Sequence, residues 1–263
     1  MSQEIGIVLL GIIAGIMSGM FGIGGGVIIV PILTAVFAFP LIEAGGTSLA
    51  ALMMPVGIFA VISYYREKMI NIKVAAIFSL GILVGVLFGA NFAISLPAAL
   101  LKQIYGIFLL WVCWRFFDFR TKKQANETES ESINSTKILD TKGLFKICFW
   151  GIFTGILSGL FGIGGGLVMV PIMVTVLKFD TKTAVGTSLA ALLPPVAFPG
   201  VLAYYYAGHL NVAVAAILAA GLVIGSLFGA KINIALPGKS AKKLYAVFLL
   251  IMSINFIVSG FWQ

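Results

Sequence analysis

One long internal repeat organises this chain. The stretch from Gly11 to Leu110 recurs from Gly151 to Leu250 at a constant shift (151 − 11 = 140), without insertion or deletion, and about half of the positions are identical. Sequence periods of roughly 20–50 residues are typical of solenoids and propellers, but here the period is about half the chain. The sequence therefore predicts two similar halves rather than an array of small repeats.

The composition places both halves in a membrane. Of the 263 residues, 60% are hydrophobic and only 10% are charged, whereas about 25% of residues are charged in soluble domains. Each half contains five apolar segments, which are about 5–21, 27–39, 44–65, 74–95 and 103–117 in the first and about 144–161, 167–177, 184–207, 212–230 and 243–261 in the second. We expect an all-α integral membrane protein that crosses the cytoplasmic (inner) membrane several times.

The positive charge is explained by membrane orientation rather than by a nucleic acid partner. The formal net charge is +8, and the chain has 17 Lys and Arg residues. When alternate connections are assigned to one side of the membrane, all of these residues except Lys102 fall on the same side, which the positive-inside rule identifies as cytoplasmic. This predicts that both termini lie outside. No nucleic acid partner is expected.

The second apolar segment of each half is too short to span a bilayer, which takes roughly 20 helical residues. Segments 27–39 and 167–177 each follow a triple glycine, so the first two segments are predicted to form a Gly-broken helix pair or a re-entrant hairpin. Three full transmembrane helices plus such a returning pair give an odd number of crossings. The second half should therefore be inserted upside down relative to the first, as an inverted-topology repeat.

A polar run separates the two repeats. We assign residues 1–117 to the first membrane repeat and 144–263 to the second, with 118–143 between them. The stretch from Lys122 to Ser132 is rich in Lys, Glu, Ser and Thr and has too little apolar surface to fold by itself. It is predicted to be a flexible cytoplasmic linker.

The two triple-glycine turns are the first candidates for a binding site. A helix N-terminus offers unpaired N–H groups and the positive end of the helix dipole, and glycine lets an anion approach the backbone. Inverted repeats with broken helices are typical of secondary transporters, whose substrates bind near the midplane. The glycines could equally serve close helix crossing. The predicted substrate-binding glycines are Gly24, Gly25, Gly26, Gly164, Gly165 and Gly166.

A Gly-Thr-Ser-Leu motif near the start of each third segment supplies further candidates. Its hydroxyls could donate to the oxygens of a bound anion, or they could bond back to carbonyls of their own helix. The predicted substrate-binding hydroxyls are Thr47, Ser48, Thr187 and Ser188. Pro55 and Pro195 follow in the same segments and are predicted helix hinges, with a simple kink as the alternative. The tyrosine pairs Tyr64-Tyr65 and Tyr204-Tyr205, at the segment ends, are expected to anchor at the membrane interface.

Nothing in the sequence predicts catalysis. There is no nucleophile paired with a base, no Cys or His spacing for a metal, and no Lys-Ser/Thr after the triple glycines to make a phosphate-binding loop. Acidic residues are almost absent from the apolar segments, so a proton relay has little support. We expect a non-enzymatic protein without metal or cofactor, whose partners are a small anion and the lipid bilayer. The pattern favours no particular oligomeric state.

Three groups of residues together resemble the TauE/SafE sulfite-exporter family of membrane permeases. They are Phe21-Gly22-Ile23-Gly24-Gly25-Gly26 with Pro31, its copy Phe161-Gly162-Ile163-Gly164-Gly165-Gly166 with Pro171, and the two Gly-Thr-Ser-Leu motifs. The resemblance covers the whole chain apart from the linker. It implies transport of a small sulfur-containing anion such as sulfite, sulfoacetate or another organosulfonate.

The membrane potential bears on the direction of transport. Outward movement of one negative charge is favoured by about 2.3 kcal/mol per 100 mV when the inside is negative, so an exporter of anions needs no coupling ion. We therefore expect a secondary transporter that exports its anion by alternating access. A passive anion channel and a non-transporting membrane scaffold remain as alternatives.

Overall fold

The computed structural model describes residues 2–55, 57–118, 141–235, 250 and 253–258, and these are helical without any strand. The helices are α1 (Ser2–Phe21), α2 (Gly26–Ala35), α3 (Leu41–Met53), α4 (Ile58–Arg66), α5 (Ile72–Ser95), α6 (Ala98–Asp118), α7 (Thr141–Phe161), α8 (Gly166–Thr175), α9 (Thr181–Leu192), α10 (Phe198–Tyr206) and α11 (Val212–Ala235). Residues 253–258 are also helical. The all-α class predicted from the sequence is confirmed.

Within the described residues, four helices are long and apolar enough to cross a membrane. The spans are Gln3–Phe21 in α1, Ile72–Ser95 in α5, Gly143–Phe161 in α7 and Val212–Ile232 in α11. The second segments are short, as predicted, because α2 and α8 have 10 residues each. The first segment of each half is therefore a full-length helix followed by a half-helix.

The third segment of each half was expected to be one full helix, and this expectation is wrong. The first-half segment divides into α3 and α4, which are bent by 49° relative to each other. The second-half segment divides into α9 and α10. Pro55 and Pro195 lie in the breaks, where a proline can neither donate a backbone hydrogen bond nor fit beneath the preceding turn. The prolines thus separate two helices rather than kink one.

Glycine stripes hold the long helices of the two halves together. A Cβ atom added at Gly15 of α1 would lie 2.9 Å from the Cα atom of Leu222 in α11, and one at Gly85 of α5 would lie 2.9 Å from the Cα atom of Gly155 in α7. Small residues permit such close backbone approach between membrane helices. The stripes are Gly11, Gly15 and Gly19 against Gly221, Gly225 and Gly229, and Gly81, Gly85 and Gly89 against Gly151, Gly155 and Gly159. Residue numbers rise together along both contacts, so α1 runs parallel to α11 and α5 parallel to α7.

The chain divides into two compact units, each drawn from both repeats. One comprises residues 1–95 and 144–236 and contains both glycine turns; the other comprises residues 96–143 and 237–263. In the second unit the Ser253 hydroxyl donates to the Gly106 carbonyl over 2.8 Å, and the rings of Tyr105 and Phe256 meet edge to face. Most of the predicted linker 118–143 and much of the last apolar segment lie outside the described residues.

Candidate functional site

The two glycine turns have the same backbone conformation. In the first, Gly24 and Gly25 have φ angles of 81° and 77°, and in the second, Gly164 and Gly165 have φ angles of 74° and 78°. Residues with a side chain rarely adopt this left-handed region, which is open to glycine. Gly25 and Gly165 are the N-caps of α2 and α8, so each turn ends at a helix N-terminus, as predicted.

The two turns also touch each other. A Cβ atom added at Gly24 would lie 3.1 Å from the Ile163 carbonyl oxygen. Atoms added at Gly26 and Gly166 would overlap the backbone of the opposite turn, at Ile163 and Gly22 respectively. Gly26 and Gly166 therefore serve close packing between the turns. This is the alternative role that the sequence left open for the glycines.

The serine hydroxyls of the Gly-Thr-Ser-Leu motifs bind the opposite turn. The Ser48 hydroxyl donates to the Gly162 carbonyl over 2.7 Å, and the Ser188 hydroxyl donates to the Gly22 carbonyl over 2.8 Å. Ser188 also contacts the Val185 carbonyl in its own helix. Both serines are fully buried. Each motif therefore positions the glycine turn of the other half.

The threonine hydroxyls of the same motifs make a second pair of bonds between the halves. Thr47 accepts from the backbone N–H of Asn211, and Thr187 accepts from the backbone N–H of Asn71, each over 3.0 Å. Asn71 and Asn211 also accept through their side chains from the N–H groups of Val74 and Val214. The threonines thus fix the loops that begin α5 and α11. None of the four predicted hydroxyls lines the cavity described below.

Tyr64 and Tyr204 are buried inside the protein, so the expected interfacial anchoring is wrong for these two, whereas for the exposed Tyr65 and Tyr205 it stays a prediction. The Tyr64 hydroxyl donates to the Gly19 carbonyl over 3.2 Å, and the Tyr204 hydroxyl donates to the Gly159 carbonyl over 2.8 Å. These carbonyls belong to the last turns of α1 and α7. The neighbouring Tyr65 is exposed, and the sequence carries no signal that separates it from Tyr64.

A small cavity lies beside the two glycine turns. Its volume is about 30 Å³, which exceeds the roughly 10–15 Å³ that one buried water requires. Ser18, Gly24, Ser158 and Gly164 supply the polar part of its wall. The remaining lining residues are Leu52, Gly57, Leu189, Leu192, Val196 and Ala197. None of the described residues that line the cavity has a charged side chain.

The proline breaks contribute part of this wall. Gly57 follows Pro55 in the connection between α3 and α4, and Val196 and Ala197 follow Pro195 in the connection between α9 and α10. Movement of α4 or α10 about these breaks would change the cavity wall. A role of Pro55 and Pro195 as hinges stays a prediction.

The described residues contain no cluster of side chains that could hold a metal ion. Among the described residues, no group of three or more His, Cys, Asp or Glu side chains comes together. The described wall offers the hydroxyls of Ser18 and Ser158 and the backbone of Gly24 and Gly164, each of which lies two residues before the start of α2 or α8. This combination suits the binding of a small anion without a charged side chain.

Comparison with known proteins decides the family. The model of the family described as sulfite exporter TauE/SafE matches residues 7–256. The chain belongs to the TauE/SafE family. A probable membrane transporter protein of Methanocaldococcus jannaschii is 32% identical, over 94% of this chain and 93% of its own length. Two probable membrane transporter proteins of Bacillus subtilis are 29% and 28% identical, over 92% and 98% of this chain and 95% and 98% of their own lengths.

No solved structure matches the chain significantly. The family match, the similar transporters and the apolar helices together establish a multi-pass transmembrane transporter, consistent with the cytoplasmic membrane.

Proposed function

We propose that this TauE/SafE protein is a secondary transporter that exports a small sulfur-containing anion, such as sulfite, sulfoacetate or another organosulfonate, by alternating access. The observation that carries the proposal is the cavity beside the two glycine turns. Gly24 and Gly164 line it, and the N-termini of α2 and α8 begin two residues later. Helix N-termini favour negative charge, and backbone N–H groups donate to oxyanions. The transport of sulfite is named in the description of the family itself.

The proposal includes an inverted arrangement of the two repeats in the membrane. Parallel packing of α1 with α11 requires the loop before α11 to lie on the same side as the N-terminus. Parallel packing of α5 with α7 requires the loop before α5 to lie on the same side as the linker. Both requirements agree with the side assignment from the Lys and Arg residues. In this arrangement α1 and its copy α7 start on opposite sides.

The four hydroxyls of the Gly-Thr-Ser-Leu motifs have a structural role in the present conformation and a binding role in the proposal. In the present conformation they hold the glycine turns and the loops before α5 and α11. Direct binding of the anion by Thr47, Ser48, Thr187 and Ser188 would require these bonds to open in another conformation of the transport cycle. Such an exchange of partners would be a local step of alternating access, because each bond joins one half to the other.

Export follows from the sign of the substrate charge. A membrane potential that is negative inside favours outward movement of a monovalent anion by about 2.3 kcal/mol per 100 mV. The described residues of the cavity wall contain no acidic side chain through which a proton could be coupled to uptake. The potential alone is a sufficient driving force.

The function is tested with purified protein in liposomes loaded with sulfite, sulfoacetate, thiosulfate or formate. We expect efflux of the sulfur anions that saturates with internal concentration and accelerates when the interior is made negative. Gly25→Val and Gly165→Val should abolish efflux. Gly208→Val is the matched control, because Gly208 has a φ of 73° but nothing within 4 Å of an added Cβ atom.

Each alternative has its own outcome in this assay. A channel would conduct without saturation. A scaffold would show no efflux of any anion, and its function would depend on the linker rather than on the glycine turns. Normal efflux by folded Gly165→Val protein would exclude the second turn as part of the site.

A further inference from the structure

Two other serines occupy the position that the proposed substrate would contact. Ser18 and Ser158 are equivalent under the repeat and lie in the last turns of α1 and α7. They are 4% and 1% exposed, and both line the cavity beside Gly24 and Gly164. From the sequence, where they lie one turn before each triple glycine, they are weaker candidates than the serines of the Gly-Thr-Ser-Leu motifs.

The hydrogen bonding of these serines differs from that of the others. A serine or threonine in a helix usually donates to a carbonyl three or four residues earlier. Ser79 does so with the Ala75 carbonyl over 2.9 Å, and Thr175 with the Pro171 carbonyl over 2.8 Å. For Ser18 and Ser158, no hydrogen bond from the hydroxyl to another described residue is found. Buried hydroxyls without a protein partner normally bind water or a ligand.

The backbone around each serine is held in place. The Gly22 N–H donates to the Ser18 carbonyl over 2.7 Å, and the Gly162 N–H donates to the Ser158 carbonyl over 2.8 Å. At Gly19, next to Ser18, an added Cβ atom would meet the backbone nitrogen of Ala230 at 2.8 Å, so α1 cannot shift there without separating from α11. Each hydroxyl is therefore presented to the cavity from a rigid helix end.

We propose that Ser18 and Ser158 are the hydroxyl groups that bind the transported oxyanion in this cavity. The inference rests on the proposed function. Two donors from equivalent positions suit an anion with at least two acceptor oxygens, and the adjacent helix N-termini favour negative charge over a cation. In this assignment Ser48 and Ser188 position the glycine turns, while Ser18 and Ser158 contact the substrate.

The test is calorimetric titration of the purified full chain with sulfite and with sulfoacetate. Ser18→Ala and Ser158→Ala should each raise the dissociation constant by about 2- to 10-fold, the range expected for one neutral hydrogen bond. The double variant should lose at least the product of the two factors. The melting temperature without ligand should stay the same or rise, because no protein hydrogen bond is removed. Ser63→Ala is the control, since Ser63 is bonded to the Phe59 carbonyl at an exposed position.

The possible results separate the two proposals. Tight binding by the wild type with an unchanged dissociation constant in the double variant would overturn the serine assignment, and would mean that the hydroxyls bind only water. If the wild type binds neither anion, the substrate class of the proposed function fails and the serine assignment fails with it. Ser18→Cys and Ser158→Cys keep the shape and weaken the donor, so they provide the same comparison if an alanine variant does not fold.

Discussion

The two repeats make the same contacts at the centre of the first compact unit and different ones around it. At the centre, Ser48 and Ser188 bind the opposite glycine turn, and Tyr64 and Tyr204 bind the last turns of α1 and α7. Every one of these contacts has a copy at a shift of 140 positions (188 − 48 = 140). The serine bonds join the two halves, whereas each tyrosine bond lies within one half.

Away from the centre, the two repeats differ in their helix caps and in single buried hydroxyls. Asp180 caps α9 by accepting from the N–H groups of Lys182 and Thr183, whereas Pro40 at the equivalent position of α3 makes no side-chain cap. Ser79 of α5 has Ala219 as its equivalent, and Thr154 of α7 has Ala14. The comparison indicates that the serine and tyrosine bonds around the glycine turns occur in both repeats, while the Asp180 cap and the Ser79 and Thr154 hydroxyls occur in one repeat only.

The largest loss of stability is expected for a substitution at a contact between the two repeats. Gly46→Ala should destabilise the protein by about 1–3 kcal/mol or more, as overpacking does, because the new Cβ atom would overlap the His209 carbonyl and lie 2.9 Å from Tyr204. Gly45→Ala is the matched control, since nothing lies within 3.8 Å of its Cβ position and the second repeat carries Val185 there. Thermal unfolding in detergent measures both. Equal melting temperatures for the two variants would show that the close contact at Gly46 does not exclude a side chain.

A smaller loss is expected from a bond that only one repeat makes. Ser79 donates to the Ala191 carbonyl over 2.7 Å as well as to its own helix, and both bonds are buried. Ser79→Ala should cost about 1–3 kcal/mol, the range for a buried group left without its partner. The same thermal unfolding measurement checks it. An unchanged melting temperature would show that the Ala191 carbonyl finds another donor.

Loss of the helix cap in the second repeat should reduce stability by less than loss of the Ser79 bonds. Asp180→Ala removes an acceptor for two N–H groups and should cost about 1 kcal/mol. Asp180→Asn retains the acceptor oxygen and should stay close to the wild type. If both variants lose equal stability, the negative charge rather than the cap is responsible. Neither variant should alter anion efflux, because Asp180 does not line the cavity.

The smallest change is expected at the unpaired hydroxyl of Thr154. This side chain is fully buried, and its hydroxyl has no hydrogen-bond partner among the described residues. Thr154→Val keeps the volume and removes a polar group that gains nothing in this conformation, so stability should stay the same or rise slightly. The equivalent alanine of the first repeat, Ala14, agrees with this expectation. A clear loss of stability would reveal a partner for Thr154.

Much of the architecture follows from the sequence by itself. The repeat and the apolar segments predict an all-α membrane protein with two copies of one unit, because helix length and hydrophobicity are local properties. The short α2 and α8 follow from the same reasoning, since three successive glycines weaken a continuous helix and let the chain turn. The motifs also indicated the TauE/SafE family before any comparison of the whole chain.

Only the tertiary structure decided which hydroxyl has which partner. Ser48 meets Gly162 and Thr187 meets Asn71 across 114 and 116 positions of sequence, and no local pattern predicts partners at that distance. Tyr64 differs from Tyr65 for the same reason, because burial depends on which helix packs over each face. A hydroxyl's partner is determined by the chain that folds against it, whereas helix formation is determined by its neighbours in sequence.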